Sequence, residues 1–195
     1  NNGGSNTINN WNVSNADRFD SMFEGASSFN QNIGSWNTSN ITGMQNMFKD
    51  ATSFNQDIGT WNTSNVINMQ RMFMNARSFN QNIGGWDVSK VRFMGGMFEN
   101  ATAFNNGGSN AINNWNTSSA EQMQTMFSTA TSFNQPVGNW NMSNIDASLN
   151  NPLNNMFYGA SAFNQDLSGW CVSHNLVVNL LPLKPMLMQL GETLL

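Results

Sequence analysis

The sequence holds a single cysteine, Cys171, and a single histidine, His174, in 195 residues. One cysteine excludes an intrachain disulfide framework, and the pair is too few for a Cys/His zinc site. No recurring acid stands beside Cys171 and His174 to activate a nucleophile, so the chain is expected to be no enzyme and to carry no cofactor. Charge is equally scarce. Charged residues make up 9%, against roughly 25% in an average soluble domain. Seven Lys and Arg leave a net charge of −4. A nucleic-acid binder needs clustered cations to displace counterions, so that partner is excluded. A long unbroken apolar run is also missing. The Leu-rich C-terminal stretch is interrupted by Pro182 and Pro185, and no membrane insertion is expected there. What the chain has is asparagine, 37 residues of it, with 14 Phe, 14 Met and 7 Trp. That apolar load argues for folding, low charge notwithstanding.

The apolar residues keep a clock. Trp11, Trp36, Trp61 and Trp86 are 25 residues apart, and Trp115, Trp140 and Trp170 continue at gaps of 29, 25 and 30. Met22-Phe23, Met47-Phe48, Met72-Phe73, Met97-Phe98, Met126-Phe127 and Met156-Phe157 follow the same beat. So does the Phe-Asn pair that begins at Phe29, Phe54, Phe79, Phe104, Phe133 and Phe163. One period held over six passes predicts a solenoid. The longer gaps place insertions at Asn105–Asn110 and Asp146–Pro152, which read as loops. Residues 1–11 match residues 105–115 except at Thr7 and Ala111. The reading is therefore of a fragment that begins inside a coil.

Within Trp61–Gly85, Ser64 or Asn65 reads as a helix cap. Val66, Met69, Met72, Phe73 and Ala76 fall at helical spacing behind it. Asn75 is a plausible stop, and Phe79–Ile83 reads as a short strand before the Gly84-Gly85 turn. One strand and one helix per period predict an α/β fold, a right-handed leucine-rich-repeat-like β/α solenoid. It would have a single parallel sheet face and six to seven coils over residues 1–174. Trp61, Ser64, Val66, Met69, Met72, Phe73, Ala76, Phe79, Asn80, Gln81 and Ile83 form a pattern that resembles the BspA-like leucine-rich-repeat surface proteins, also met as mycoplasma-type surface lipoprotein repeats. The resemblance implies a secreted or cell-surface protein of adhesin type and supplies no catalytic residue.

Residues 175–195 do not fit this body. Eight leucines crowd into 176–195, against three in 1–174. An apolar cap is one reading. The other is an aberrant tail made by a frameshift near Asn175, because one added base lets the remainder be re-read as an Asn-, Thr- and Trp-bearing string.

The Met-Phe and Trp columns read as core. Asn30, Asn55, Asn80, Asn105, Asn134 and Asn164 recur in every pass and read as a stacked amide ladder. Whether Asn or the following Gln faces inward stays open. Two residues after that Asn the column varies: Asn32, Asp57, Asn82, Pro136, Asp166. Variation suits a solvent-facing position, so Asn32, Asp57, Asn82 and Asp166 are candidate binding residues. The inserted loops add Asn106, Gly107, Gly108, Ser109, Asp146, Asn150 and Asn151, since loops on rigid scaffolds are common binding positions. Gly107-Gly108 lacks the Gly-Lys-Ser/Thr of a phosphate loop. Neither the EF-hand nor the nonapeptide calcium pattern occurs, so no metal is expected. Sequons such as Asn37-Thr38-Ser39 and Asn62-Thr63-Ser64 read as glycan acceptors or as turn chemistry, according to source.

Three functions are consistent with this. The chain is an extracellular interaction module for a surface protein or glycan of a host or neighbouring cell, a passive spacer, or a binder of a repetitive lattice such as ice or polysaccharide. The irregular column Val13, Thr38, Thr63, Val88, Thr117, Met142, Val172 disfavours the last.

Overall fold

The computed structural model of the protein describes residues 6–145, 148–149 and 151–170. The tail at 175–195, Cys171 and His174 lie outside them.

Backbone hydrogen bonding explains how one pass is built. In the third pass the N–H groups of Met69, Arg71, Phe73 and Asn75 donate forward to the carbonyls of Phe93, Gly95, Met97 and Glu99, at 2.8–3.0 Å. The N–H groups of Met72, Met74 and Ala76 fold back instead onto the carbonyls of Met69, Arg71 and Phe73, at 3.0–3.2 Å. The segment is therefore a run of successive β-turns that shares half its donors with the next pass. Arg71 and Asn75 sit at φ of 54° and 61°, where an α-helix needs about −63°. The same two positions are left-handed at Ser21 and Gly25, Asn46 and Asp50, Gly96 and Asn100, and Thr125 and Thr129.

This overturns the α/β expectation. Among the described residues there is no α-helix, no strand and no sheet; the helical elements are three short 3₁₀ turns, Asn6–Asn10, Asn106–Gly108 and Asn110–Asn114. Parallel pairing survives only as isolated bridges, from Arg18 to Gly43, Gly43 to Asn68, Asn68 to Phe93 and Phe93 to Gln122. The reason is that the turns overlap, beginning at Met69, Arg71 and Phe73. They bring Val66, Met69, Met72, Phe73 and Ala76 to one interior at nearly the spacing an α-helix would use, and all five are fully buried.

The expected strand at Phe79–Ile83 is replaced by a side-chain device. Asn80 donates its N–H to Asn55 Oδ1 at 2.9 Å, and Asn55 donates likewise to Asn30 Oδ1 at 2.9 Å. Asn105, Asn134 and Asn164 continue the series at 2.8, 2.9 and 2.9 Å. The amide carbonyl thus stands where a neighbouring strand's backbone carbonyl would be. The following Gln adds its Nε2 to the same oxygen, as Gln56 does on Asn30, Gln135 on Asn105 and Gln165 on Asn134.

The core is aromatic. Within each of six passes the two phenylalanines lie face to face, at 3.9–4.1 Å between centroids. Between passes the Met-Phe rings repeat at 5.5–5.6 Å. The Phe-Asn rings repeat at 5.8–5.9 Å. Offset stacks of this kind add to the burial term. The indole Nε1 of Trp36, Trp61, Trp86, Trp140 and Trp170 donates to Ile8, Ile33, Ile58, Ile112 and Val137 carbonyls of an earlier pass. Trp115 Nε1 is buried without such a partner. It follows the Asn105–Asn110 insertion, which interrupts the register there.

Passes approach so closely at one column that only glycine fits. A Cβ on Gly59 would lie 2.5 Å from the Asn82 carbonyl oxygen, and one on Gly34 2.7 Å from that of Asp57. Gly85 has nothing within 4 Å. Gly59→Ala is therefore expected to destabilise by about 1–3 kcal/mol through overpacking against backbone. Gly85→Ala should be neutral or stabilising by up to about 1 kcal/mol. Urea midpoints of the two variants test this, and equal midpoints would contradict the close approach.

Candidate functional site

The first candidate column sits where the sequence places it. Asn32, Asp57, Asn82 and Asp166 are all exposed. Each is also occupied. Its Oδ1 accepts the backbone N–H two residues on, from Gly34 at 2.9 Å, Gly59 at 2.9 Å, Gly84 at 3.0 Å and Ser168 at 2.8 Å. These are Asx turns that reverse the chain ahead of the tryptophan. The structure gives the residues a local folding role and leaves one face of each side chain to solvent.

The inserted loop at Asn105–Asn110 departs from expectation. Asn106 is fully buried, accepts the Ile83 N–H at 2.8 Å and donates to the Ser109 carbonyl at 2.7 Å. It is a core residue. Gly107 and Gly108 are exposed, but Gly107 donates to Asn80 Oδ1 at 3.0 Å. Ser109 caps the following 3₁₀ turn by accepting from Ala111 at 3.3 Å. The insertion is thus folded into the stack. In the second insertion Asp146 and Asn150 lie outside the described residues. Asn151 is half-buried, and the Pro152 carbonyl accepts from Met123 at 2.9 Å.

Sequence reasoning missed a second exposed column, one residue after each of the first six tryptophans. Asn12, Asn37, Asn62, Asp87, Asn116 and Asn141 are exposed. They accept from Ser14, Ser39, Ser64, Ser89, Ser118 and Ser143 N–H groups at 2.8–3.2 Å. The signal was the Trp-Asn-x-Ser spacing, noticed only as sequons. The column after it is interior: Thr38, Thr63 and Thr117 are buried and donate Oγ1 to the next pass's Asn62, Asp87 and Asn141 carbonyls. Its irregularity, with Val88 and Met142 also buried, therefore bears on packing and not on an exposed lattice.

The two exposed columns belong to one strip that runs from the Phe-Asn pair to the serine after each tryptophan. It displays amides, hydroxyls and the carboxylates of Asp57, Asp87 and Asp166. Arg18, Lys49, Arg71, Arg77, Lys90 and Arg92 all lie outside it. Two of them pair between passes, Lys49 with Glu24 at 2.7 Å and Arg92 with Glu121 at 2.6 Å. Among the described residues there is no cluster of three metal-ligating side chains, and no helix is long and apolar enough to cross a membrane.

The carboxylates of the strip are tuned by their turns. The Ser89 hydroxyl and then its N–H hold Asp87 below its ordinary value. The Ser168 N–H and then its hydroxyl do the same for Asp166. A carboxylate with a depressed folded pKa contributes stability above the unfolded value, about 4. That contribution disappears as pH falls through the folded value. Carbon-detected NMR titration is expected to place both groups below the ordinary carboxylate range. Asp87→Asn should lose less stability than the parent between pH 5 and about 3, and an equal loss would contradict the turn assignment.

A family model described as Mycoplasma protein of unknown function, DUF285, matches residues 1–111 and 108–180. No curated protein and no solved structure matches the chain. The match agrees with the mycoplasma-type side of the resemblance read from the repeat. The leucine-rich-repeat side rests on a strand and a helix per pass, which the described residues lack.

Proposed function

We propose, from the premise that this chain belongs to the DUF285 family of Mycoplasma-type repeat proteins, that it is an extracellular surface module that binds a protein or glycan through the cation-free strip. One observation carries the reading. The apolar columns and the Asn, Trp and Thr ladders are spent on holding passes together, while the strip exposes short hydrogen-bonding groups held in fixed turns. A rigid surface of amides, hydroxyls and a few carboxylates suits a neutral or cationic partner. Deleting the Asn105–Asn110 insertion is no test, because Asn106 is core.

Thr60→Lys with Gly85→Lys is the cleaner variant. Thr60 is exposed and Gly85 faces open space, so the two lysines mask the strip and remove only one exposed contact, from Thr60 Oγ1 to the Gly34 carbonyl at 3.3 Å. Binding to immobilised cell-surface extract and to a neutral glycan array is expected to fall at least tenfold. Unchanged binding would place the site elsewhere. The spacer reading is favoured by the uniform ring repeat from pass to pass, 5.5 Å in one column and 5.9 Å in the other, which supports every pass alike. It gains if the parent binds neither surface.

A further inference from the structure

The irregular column that disfavours a lattice binder is interior at Thr38, Thr63, Val88, Thr117 and Met142. Solvent meets the column one residue earlier, and that one is nearly uniform. Asn12, Asn37, Asn62, Asn116 and Asn141 each present a carboxamide, and Asp87 alone interrupts them. The Asn105–Asn110 insertion leaves this column whole. Ser119 Oγ donates to the Ser89 carbonyl at 2.6 Å across that junction, as Asn65 Nδ2 does to the Ser39 carbonyl at 2.9 Å across an uninterrupted one. The other exposed column, Asn32, Asp57 and Asn82, is broken there by Gly107 and further on by Pro136.

Every amide of the row is held in the same way. Its Oδ1 accepts the N–H of the serine two residues on, at 2.8–3.2 Å. Only an oxygen can accept there, so the donor it meets fixes which end of the amide is nitrogen. The backbone of the row is tied as well. The Thr38, Thr63 and Thr117 hydroxyls donate to the carbonyls of Asn62, Asp87 and Asn141 at 2.9–3.0 Å. The Nδ2 groups of all five asparagines are left without a partner among the described residues. One amide donor per pass is therefore oriented before any ligand arrives, which lowers the ordering cost of binding.

We infer, resting on the reading of the strip as the binding surface, that this row holds an extended, uncharged β-1,4-linked polysaccharide laid along the stack. Each Nδ2 donates to a hydroxyl or ether oxygen of the chain. Three features select that occupant. The strip has no cation to meet a polyanion. A protein partner is usually anchored by aromatic or arginine side chains seated among apolar groups, and the tryptophans beside the row, Trp36, Trp61, Trp86, Trp115 and Trp140, are buried. The same donor recurring at each pass serves a ligand that itself repeats, and β-1,4-linked glycans are extended chains with acceptor oxygens on every residue. Each further contact along such a chain is intramolecular, so affinity accumulates with its length.

The test runs the full chain through native gels containing hydroxyethylcellulose, glucomannan or arabinoxylan, then titrates it with oligosaccharides of the retarding polymer. At least one polymer is expected to retard it, and affinity should rise about tenfold or more from a disaccharide to a hexasaccharide. Asn37→Asp with Asn62→Asp removes two donors and keeps their turns, since Asp87 already accepts the Ser89 N–H at 2.9 Å. That pair should weaken binding about tenfold. Asn32→Asp with Asn82→Asp adds the same charge in the other column, where Asp57 already makes the turn, and should bind like the parent. Asp87→Asn completes the row and should bind about threefold more tightly. Retardation by none of the three polymers, equal losses for the two Asp pairs, or weaker binding by Asp87→Asn would overturn the assignment. If no β-glycan binds while Thr60→Lys with Gly85→Lys still abolishes binding to cell-surface extract, the strip remains the binding surface and only the polysaccharide falls. If that variant binds extract as the parent does, the reading of the strip falls with it.

Discussion

Replacing Phe79 by alanine is expected to destabilise the stack by about 3–5 kcal/mol, and to do so locally. The ring is fully buried. It lies 4.0 Å from Phe73 in its own pass, and 5.9 Å from both Phe54 behind and Phe104 ahead. Removing it interrupts both the in-pass pair and the column between passes. Each pass bonds only to its neighbours, so the damage should spread little further. Native-state hydrogen exchange is the measurement. The N–H groups of Ser78 and Ala103, which donate to Thr52 and Arg77 across the two adjacent junctions, should exchange far faster. Those of Phe19 and Ser21 should change little. A uniform rise along the chain would mean that the array unfolds as one unit.

A second large effect is expected at Asn105, and here the chemistry of the replacement matters more than its size. Asn105 Oδ1 accepts the Asn134 N–H at 2.9 Å and Gln135 Nε2 at 3.0 Å, and Gln135 is only 8% exposed. Asn105→Ala leaves both donors unpaired between passes, at a total cost of about 2–4 kcal/mol. Asn105→Asp keeps an oxygen in place and should cost less than about 1 kcal/mol at neutral pH. Below the carboxylate range a protonated Asp can still accept through its carbonyl, so the variant should not collapse in acid. Urea denaturation of the three proteins distinguishes the cases. Equal losses for Ala and Asp would show that the oxygen ladder contributes nothing beyond packing. Asparagine also suits the column better than aspartate throughout, since carboxylates stacked one per pass would repel one another.

Several features were legible because they depend only on what recurs. The 25-residue beat identified the core columns, and Trp36, Met47, Phe48 and Phe54 are buried as the pattern required. The invariant Asn after phenylalanine marked a ladder, though the stacked amides turn out to serve the next pass's backbone N–H and Gln side chain rather than one another. The variable column at Asn32, Asp57, Asn82 and Asp166 was correctly placed on the surface. The insertion was misread. Asn106 looked like a loop residue because the repeat has no counterpart for the segment around it, yet its amide enters the core to meet Ile83.

What the sequence by itself determined is periodicity: which positions repeat, which side chains are interior, and where extra residues enter. Those follow from burial, which selects residue type wherever a position recurs. What only the tertiary structure decided is the path between those positions. A helix and a chain of turns place apolar residues at nearly the same intervals. The choice between them rests on where alternate N–H groups find acceptors. For Met69, Arg71, Phe73 and Asn75 those acceptors lie one pass away, on Phe93, Gly95, Met97 and Glu99. No local stretch of sequence contains both ends of such a bond, so the turns exist only because the next pass is there to receive them.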